Sequence, residues 1–254
     1  MDITFVCISL KEREDRRKNI QKLFEKLGIL DQIKWWIVER HPQAGTYGCF
    51  ETHFMVWSTD EIKTKYVCVF EDDLSVFESE KITRKRLQKL LKWISQNGVP
   101  GDLINLEPGS GYYGDKSVFF SSLSDSELRD GFCTRTGCYI AEKKKLEKLA
   151  KRIKPLYGID FDIALYGNCD MYSCVIPIFR QDKQFVSDNT GSYHDYVSYP
   201  SNSGLEFSRN FLTTVPLFAY IYLNAFQTSL NIYSSCSSRW SSQKIEDLTD
   251  RRVK

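Results

Sequence analysis

Strand-like and helix-like hydrophobic patterns alternate from the amino terminus to Leu106, and that alternation restricts the fold more than any other feature of the sequence. Thr4–Leu10 is an apolar run of strand length. Ile20, Leu23, Phe24 and Leu27 then recur at helical spacing, and Gly28 stands where a helix would be capped. Lys34–Val38 reads as a second strand, Phe50, His53, Phe54 and Trp57 as a second helical face, and Tyr66–Phe70 as a continuous apolar strand. A third helix carries Leu87, Leu90, Leu91 and Ile94 and leads to the strand Leu103–Leu106. The order β-α-β-α-β-α-β predicts an α/β fold with a mostly parallel central sheet and helices on both faces.

The regular alternation stops after Glu107. Pro108, Gly109, Gly111 and Gly114 crowd a short span, and a polar stretch runs from Ser121 to Asp130. Strand-like Cys138–Ala141 follows, then a basic helix with apolar positions Leu146, Leu149, Ala150 and Ile153. The chain of 254 residues exceeds the roughly 150-residue prior for one domain. We expect a domain over 1–200 and a carboxyl-terminal extension over 201–254, helical or irregular.

Eight cysteines do not imply a disulfide framework here, because Cys7, Cys68, Cys138 and Cys174 lie in apolar runs and suit reduced core positions. The apolar run at the amino terminus has no basic region before it, and Val215–Ile232 is broken by Asn224, Gln227, Thr228 and Ser229. The expectation is a cytoplasmic protein. Lysine and arginine exceed aspartate and glutamate by only 35 − 33 = 2, so no nucleic-acid partner is expected.

The sharpest chemical signal is Glu71-Asp72-Asp73, at the carboxyl end of the strand that reads as central. Open α/β sheets place ligands at such strand exits. Three adjacent acids call for a positive partner, and hard oxygen donors suit Mg²⁺ or Mn²⁺ holding a polyphosphate. Alternation along an extended chain puts Glu71 and Asp73 on one side and Asp72 on the other. The plainer reading is an acidic turn that caps the next helix or faces water.

Several blocks around the triplet share a family likeness. Glu12–Arg17 follows the first strand, Gly45-Thr46-Tyr47-Gly48-Cys49-Phe50-Glu51-Thr52-His53 precedes Trp57, and Val69–Asp73 ends the central strand. Thr136–Ala141 and Ile159–Leu165 complete the series. In order and spacing these blocks, spread over residues 3–190, resemble glycosyltransferase family 25, which groups lipooligosaccharide sugar transferases with collagen galactosyltransferases. Two positions depart from the family pattern: Thr52-His53 stands for Ser-His, and the proline before the later aspartate is missing.

The resemblance implies a GT-A type nucleotide-sugar fold and a Mn²⁺ (or Mg²⁺) ion bridging the diphosphate of a UDP-sugar. The implied activity transfers a hexose, galactose or glucose, to a saccharide or hydroxylysine-type acceptor. In that frame Asp73 ligates the metal, Glu71 touches it directly or through water or orients the ribose, and Asp72 supports them. Asp162 is the first candidate for the base or acceptor contact, with Asp160 its competitor and Glu107 the second candidate. His194, the one histidine on the carboxyl-terminal side, is a candidate metal ligand and equally a surface residue. Arg13, Arg16 and Arg17 sit where the nucleotide would lie, or form a charged first helical turn.

His53 fits a core position or a supporting role beside the site, and His41 takes no role. Tyr112 and Tyr113, in the glycine-bearing segment, fit a wall of the sugar site or simple turn chemistry. Lys81, Arg84, Lys85, Arg86, Lys89 and Lys92 lie on one helix, and Lys143, Lys144, Lys145, Lys148, Lys151, Arg152 and Lys154 on another. Solvated faces are expected. With the apolar stretch from Phe207 to Tyr233 these cations also suit peripheral attachment to a membrane, while that stretch by itself suits a homodimer interface or part of the core. The competing functional reading is a degenerate member of the fold that binds a glycan or partner without turnover. A metal-dependent phosphatase or nuclease ranks last, because three histidines offer few further ligands.

Overall fold

The computed structural model describes residues 1–42, 45–109, 111, 113–155 and 161–185. The expected extension over 201–254, Asp160, Tyr112 and His194 lie outside the described residues. The first expected elements are all present: β1 (Ile3–Leu10), α1 (Glu14–Leu27), β2 (Ile33–Val38), α2 (Gly45–Ser58) and β3 (Tyr66–Glu71). A short β4 (Leu74–Val76) precedes α3 (Glu80–Asn97) and β5 (Leu103–Asn105). Then come β6 (Ser117–Phe119), β7 (Glu127–Asp130), β8 (Cys138–Glu142), α4 (Lys143–Arg152), α5 (Phe161–Leu165), β9 (Met171–Cys174) and β10 (Phe179–Gln181).

Eight strands form one sheet in the order β2-β1-β3-β8-β5-β9-β7-β6. Pairing is parallel for β2–β1, β1–β3 and β5–β9, and antiparallel for β3–β8, β8–β5, β9–β7 and β7–β6. Only β8 and β7 therefore run against the rest, and the sheet is mostly parallel in strand direction. Two apolar layers cover it. Ile20, Phe24 and Leu27 of α1 and Leu87, Leu90 and Ile94 of α3 pack with Phe5, Cys7 and Phe70 on one face. Phe50 and Trp57 of α2, Leu146 and Leu149 of α4 and Phe161 of α5 pack with Val6, Val67 and Val69 on the other. Successive side chains of a strand face opposite ways, so Val67 and Val69 meet one layer while Cys68 and Phe70 meet the other. The α/β class and the helices on both faces are as the sequence predicts.

Gly28 ends α1 at φ +73°, with its N–H bonded to the carbonyls of Glu25 and Phe24. A left-handed cap of this kind favours glycine, which has no Cβ to clash.

Three expectations change. The polar stretch 121–130, where the regular alternation stops, ends in β7, which joins β6 in an antiparallel pair at the sheet edge. Glu71 is the last residue of β3, and the chain turns at Asp72 and Asp73 before β4, so strand alternation no longer governs which way these two point. The basic helices are only partly solvated: Arg86 is buried and donates to the carbonyls of Pro177, Asp125 and Ile176. Lys143 is buried too, with Nζ 2.7 Å from the Trp57 carbonyl. Lys145 donates to the carbonyls of Val99 and Gly101. These cations close off backbone acceptors at the ends of neighbouring segments, where an apolar side chain would leave them unpaired. No helix among the described residues is long and apolar enough to cross a membrane.

Candidate active site

The carboxyl ends of β1, β2 and β3 open into a cleft walled by Ser9, Glu39, His41, Cys49, His53, the acidic triplet and Gln181. Parallel neighbours β1 and β3 put their exits side by side, with Ile8 opposite Glu71 in the register. Arg16 reaches the cleft from the first turn of α1.

Charge is concentrated here. Arg16 Nη1 stands 3.3 Å from Asp72 Oδ1 and 3.2 Å from Asp73 Oδ2, with all three side chains buried. Ser9 Oγ donates to Asp72 Oδ2 at 2.5 Å. Arg17 donates to Ser9 Oγ at 3.0 Å and to the carbonyls of Leu10 and Lys11, which fixes the end of β1. Glu71 faces α2 instead: its Oε1 lies 3.1 Å from His53 Nε2 and 3.7 Å from Cys49 Sγ. The triplet thus divides into Asp72 and Asp73 on Arg16 and Glu71 on His53, unlike the pairing that alternation predicts.

The carboxyls are unevenly served. Asp73 Oδ1 is buried with no hydrogen-bond partner among the described residues. Burial, then the charge of Glu71, pushes the Asp73 carboxyl up to about 7 against the pull of Arg16. Burial also raises Asp72, opposed by the Ser9 hydroxyl and Arg16. For Glu71 burial acts upward, but the hydrogen bond and charge of His53, with Arg16 behind them, hold it below the usual glutamate value.

Glu107 lies just beyond β5. It is buried, and both its carboxyl oxygens lack hydrogen-bond partners among the described residues. Burial, followed by the charges of Asp73 and Glu71, raises it well above the usual value. It is accommodated because residue 137 is glycine: a Cβ there would stand 2.5 Å from Glu107 Oε2.

Asp162 is placed differently. Its oxygens accept from Arg135 N at 2.7 Å, Thr136 N at 3.2 Å and the Thr136 hydroxyl. It ties α5 to the segment entering β8. Arg13 forms a two-point pair with Asp15, at 3.0 Å for each bond, and lowers that carboxyl to about 2. Its guanidinium carbon is 5.8 Å from the Phe185 ring centroid, and that of Arg16 is 5.6 Å from it. Tyr113 donates to the Cys174 carbonyl at 3.3 Å.

The carboxylates exceed the cations facing them, and two buried carboxyl groups retain unused oxygens. Such a set fits a small hard divalent ion, which would supply the missing charge to oxygen donors. Among the described residues, Asp73 is best placed to hold it, with Asp72 beside it.

No protein-family model matches the sequence, and no curated protein does. Solved structures that align with the chain include a glycosyltransferase involved in glycosylation of the major capsid of PBCV-1, at 10% identity and TM-score 0.44, over 84% of this chain and 100% of that one. A mannose-1-phosphate geranyltransferase from Thermus thermophilus aligns at 11% identity and TM-score 0.39, over 72% of this chain and 75% of that one. A mutant Drosophila β-1,4-galactosyltransferase 7, solved with manganese, UDP-Gal and xylobiose, aligns at 9% identity and TM-score 0.36, over 82% and 80%. At these identities function has to be argued from the site.

The site also contains residues to which the sequence reading gave no role. Ser9 looks like an ordinary strand residue until the Asp72 contact is seen. His41 enters the wall because Gly48 leaves room, a Cβ at that glycine falling 2.7 Å from His41 Cβ. Cys49 did have a signal, its four-residue spacing from His53 on one helix face.

Proposed function

We propose that this chain is a metal-dependent glycosyltransferase of GT-A type, which moves galactose or glucose from a UDP-sugar to a saccharide or hydroxylysine-type acceptor. The observation that carries this reading is Asp73, buried at the exit of a central strand with one carboxyl oxygen unpartnered among the described residues and Arg16 on the other. The family-25 resemblance of the surrounding blocks supports it.

A Mn²⁺ or Mg²⁺ ion held by Asp73 would neutralise the charge that develops on the departing diphosphate. Arg16 fixes the spacing of Asp72 and Asp73 and, with Arg40, lines the cleft that would receive donor phosphates. Ser9 and Arg17 hold Asp72 in place from the end of β1. Glu107 is the group we assign to take the acceptor hydroxyl proton in an inverting reaction. The acceptor oxygen then bonds to the anomeric carbon, and the bond from that carbon to phosphate oxygen breaks with its electron pair leaving on UDP. A carboxyl held above the usual range is the stronger base once ionised, whereas the Asp162 oxygens are already engaged by Arg135 and Thr136. Asp162 is accordingly a positioning residue in this scheme.

UDP release from a panel of UDP-hexoses, with Mn²⁺ or with chelator, tests the reading without knowledge of the acceptor. Release selective for one sugar, dependent on metal and absent in Asp73→Asn, is the expected result. If folded protein neither hydrolyses a UDP-sugar nor binds UDP in the presence of metal, the transferase reading fails and a non-catalytic binding protein takes its place.

A further inference from the structure

The contact between Glu71 and α2 has a chemistry of its own. Cys49 and His53 are four residues apart on α2, so one helix face presents a thiol and an imidazole together. β3 delivers Glu71 to the same point. Cys49 Sγ, His53 Nε2 and Glu71 Oε1 all lie within 4.8 Å of one another. The separations of 3.1 Å from nitrogen to oxygen and 3.7 Å from sulfur to oxygen can be compared with a tetrahedral ion. Bonds of about 2.0 Å to nitrogen and oxygen and about 2.3 Å to sulfur set ligand atoms roughly 3.3–3.6 Å apart. We propose that Cys49, His53 and Glu71 form a binding site for a borderline-soft divalent cation, with zinc the expected occupant and the fourth position open to the cleft.

The surroundings hold the imidazole in one orientation. Its ring stacks on Phe161 with centroids 4.1 Å apart and planes 5° from parallel. Nδ1 lies 3.0 Å from the Tyr139 hydroxyl, which in turn accepts from Trp57 Nε1 at 2.8 Å. Histidine ligands of zinc characteristically give their second ring nitrogen to such a partner, which fixes the tautomer. On loading, the proton would sit on Nδ1, directed at Tyr139, and Nε2 would exchange its contact with Glu71 for the metal.

The donor set selects the ion. Sulfur, nitrogen and one carboxylate oxygen suit zinc, whereas Mg²⁺ and Mn²⁺ favour oxygen throughout. One thiolate and one carboxylate balance a dication, with the imidazole neutral. Loading therefore displaces the Cys49 thiol proton to solvent, about one proton per zinc near neutral pH. The inference does not rest on the transferase reading. It gives Glu71 Oε1 to this second cation and leaves the diphosphate cation to Asp73.

The test uses the full chain without nucleotide. Competition against a chromophoric chelator should show one tight zinc per chain, and cobalt in its place should give a thiolate-to-metal charge-transfer band. Cys49→Ser should abolish the band and weaken zinc binding at least tenfold, while Asp73→Asn leaves both unchanged. In the wild type, zinc should protect Cys49 from alkylation as mapped by peptide mass, a readout that stands even if a variant fails to fold. Absence of zinc binding, an unchanged affinity in folded Cys49→Ser, or loss in Asp73→Asn alone would overturn the proposal. Loss of UDP-sugar hydrolysis with zinc binding intact would count against the transferase reading only.

Discussion

Asp72 and Asp73 share one buried counter-charge in Arg16, and that arrangement fixes what its removal does. Taking away one partner of a buried ion pair strands the other in a medium that solvates it poorly, at a cost of about 3–5 kcal/mol. Arg16→Met should lose stability on that scale in urea unfolding, and added Mn²⁺ should restore part of it. Glu107 gives a pH signature whose sign follows from its raised pKa. A carboxyl that binds its proton more tightly in the folded state contributes stability below the unfolded value, near 4.5, and that contribution disappears as pH rises through the raised folded value. Glu107→Gln removes the ionisation, so its stability relative to wild type should grow as pH rises above the unfolded value in matched urea titrations. A difference independent of pH would mean that Glu107 is not held protonated. The sequence marked the triplet's need for a positive partner and Glu107 as a candidate, but not the partner itself. Arg16 reads there as part of a charged first turn, and its role appears only when α1 is packed against the exit of β3.

At the scale of elements, Asp162 joins α5 to the entry of β8. Hydrogen bonds to a charged group contribute about 1.5–3 kcal/mol each net, and water reaching the freed donors offsets part of the loss of all three. Asp162→Ala should therefore lower the melting temperature and cost roughly 2–4 kcal/mol in denaturant unfolding. A variant that instead kept wild-type stability and lost only kcat would return Asp162 to the role of base. The major elements were readable because hydrophobic spacing reports which face of a helix or strand is buried. β1, α1, β3 and α3 follow that spacing, and Gly28 marks the end of α1 as expected. Spacing carries no direction, so it could not reveal that β8 runs against β3 and β5. It also fails where polar residues build an edge, as in β6 and β7. The turn at Asp72 was one of two readings the sequence left open, because three consecutive acids have no period.

Across the whole molecule, the folded state alone gathers the carboxylates, so a cation that binds them stabilises folding. At a metal concentration about a hundredfold above Kd the gain is about 2.7 kcal/mol. For a folded unit of 150–250 residues that corresponds to a rise of roughly 5–10 °C in melting temperature. Thermal scans with Mn²⁺, Mg²⁺ and chelator should show this rise for wild type and not for Asp73→Asn. Strand order, unlike strand identity, had to come from the folded chain, because the residues of the cleft belong to segments far apart in sequence: Ser9, Cys49, Asp73 and Gln181 meet only there.

Gly137 gives this site an unusual sensitivity to inheritance. It carries no functional group, yet the smallest side chain would collide with Glu107 Oε2 at 2.5 Å. Any side chain at 137 therefore has to displace the Glu107 carboxyl, so Gly137→Ala should lower activity although the position itself donates no proton and grips no ion. Loss of function at this position would record an empty volume, and a shorter side chain at Glu107 should relieve the crowding in stability measurements without restoring turnover.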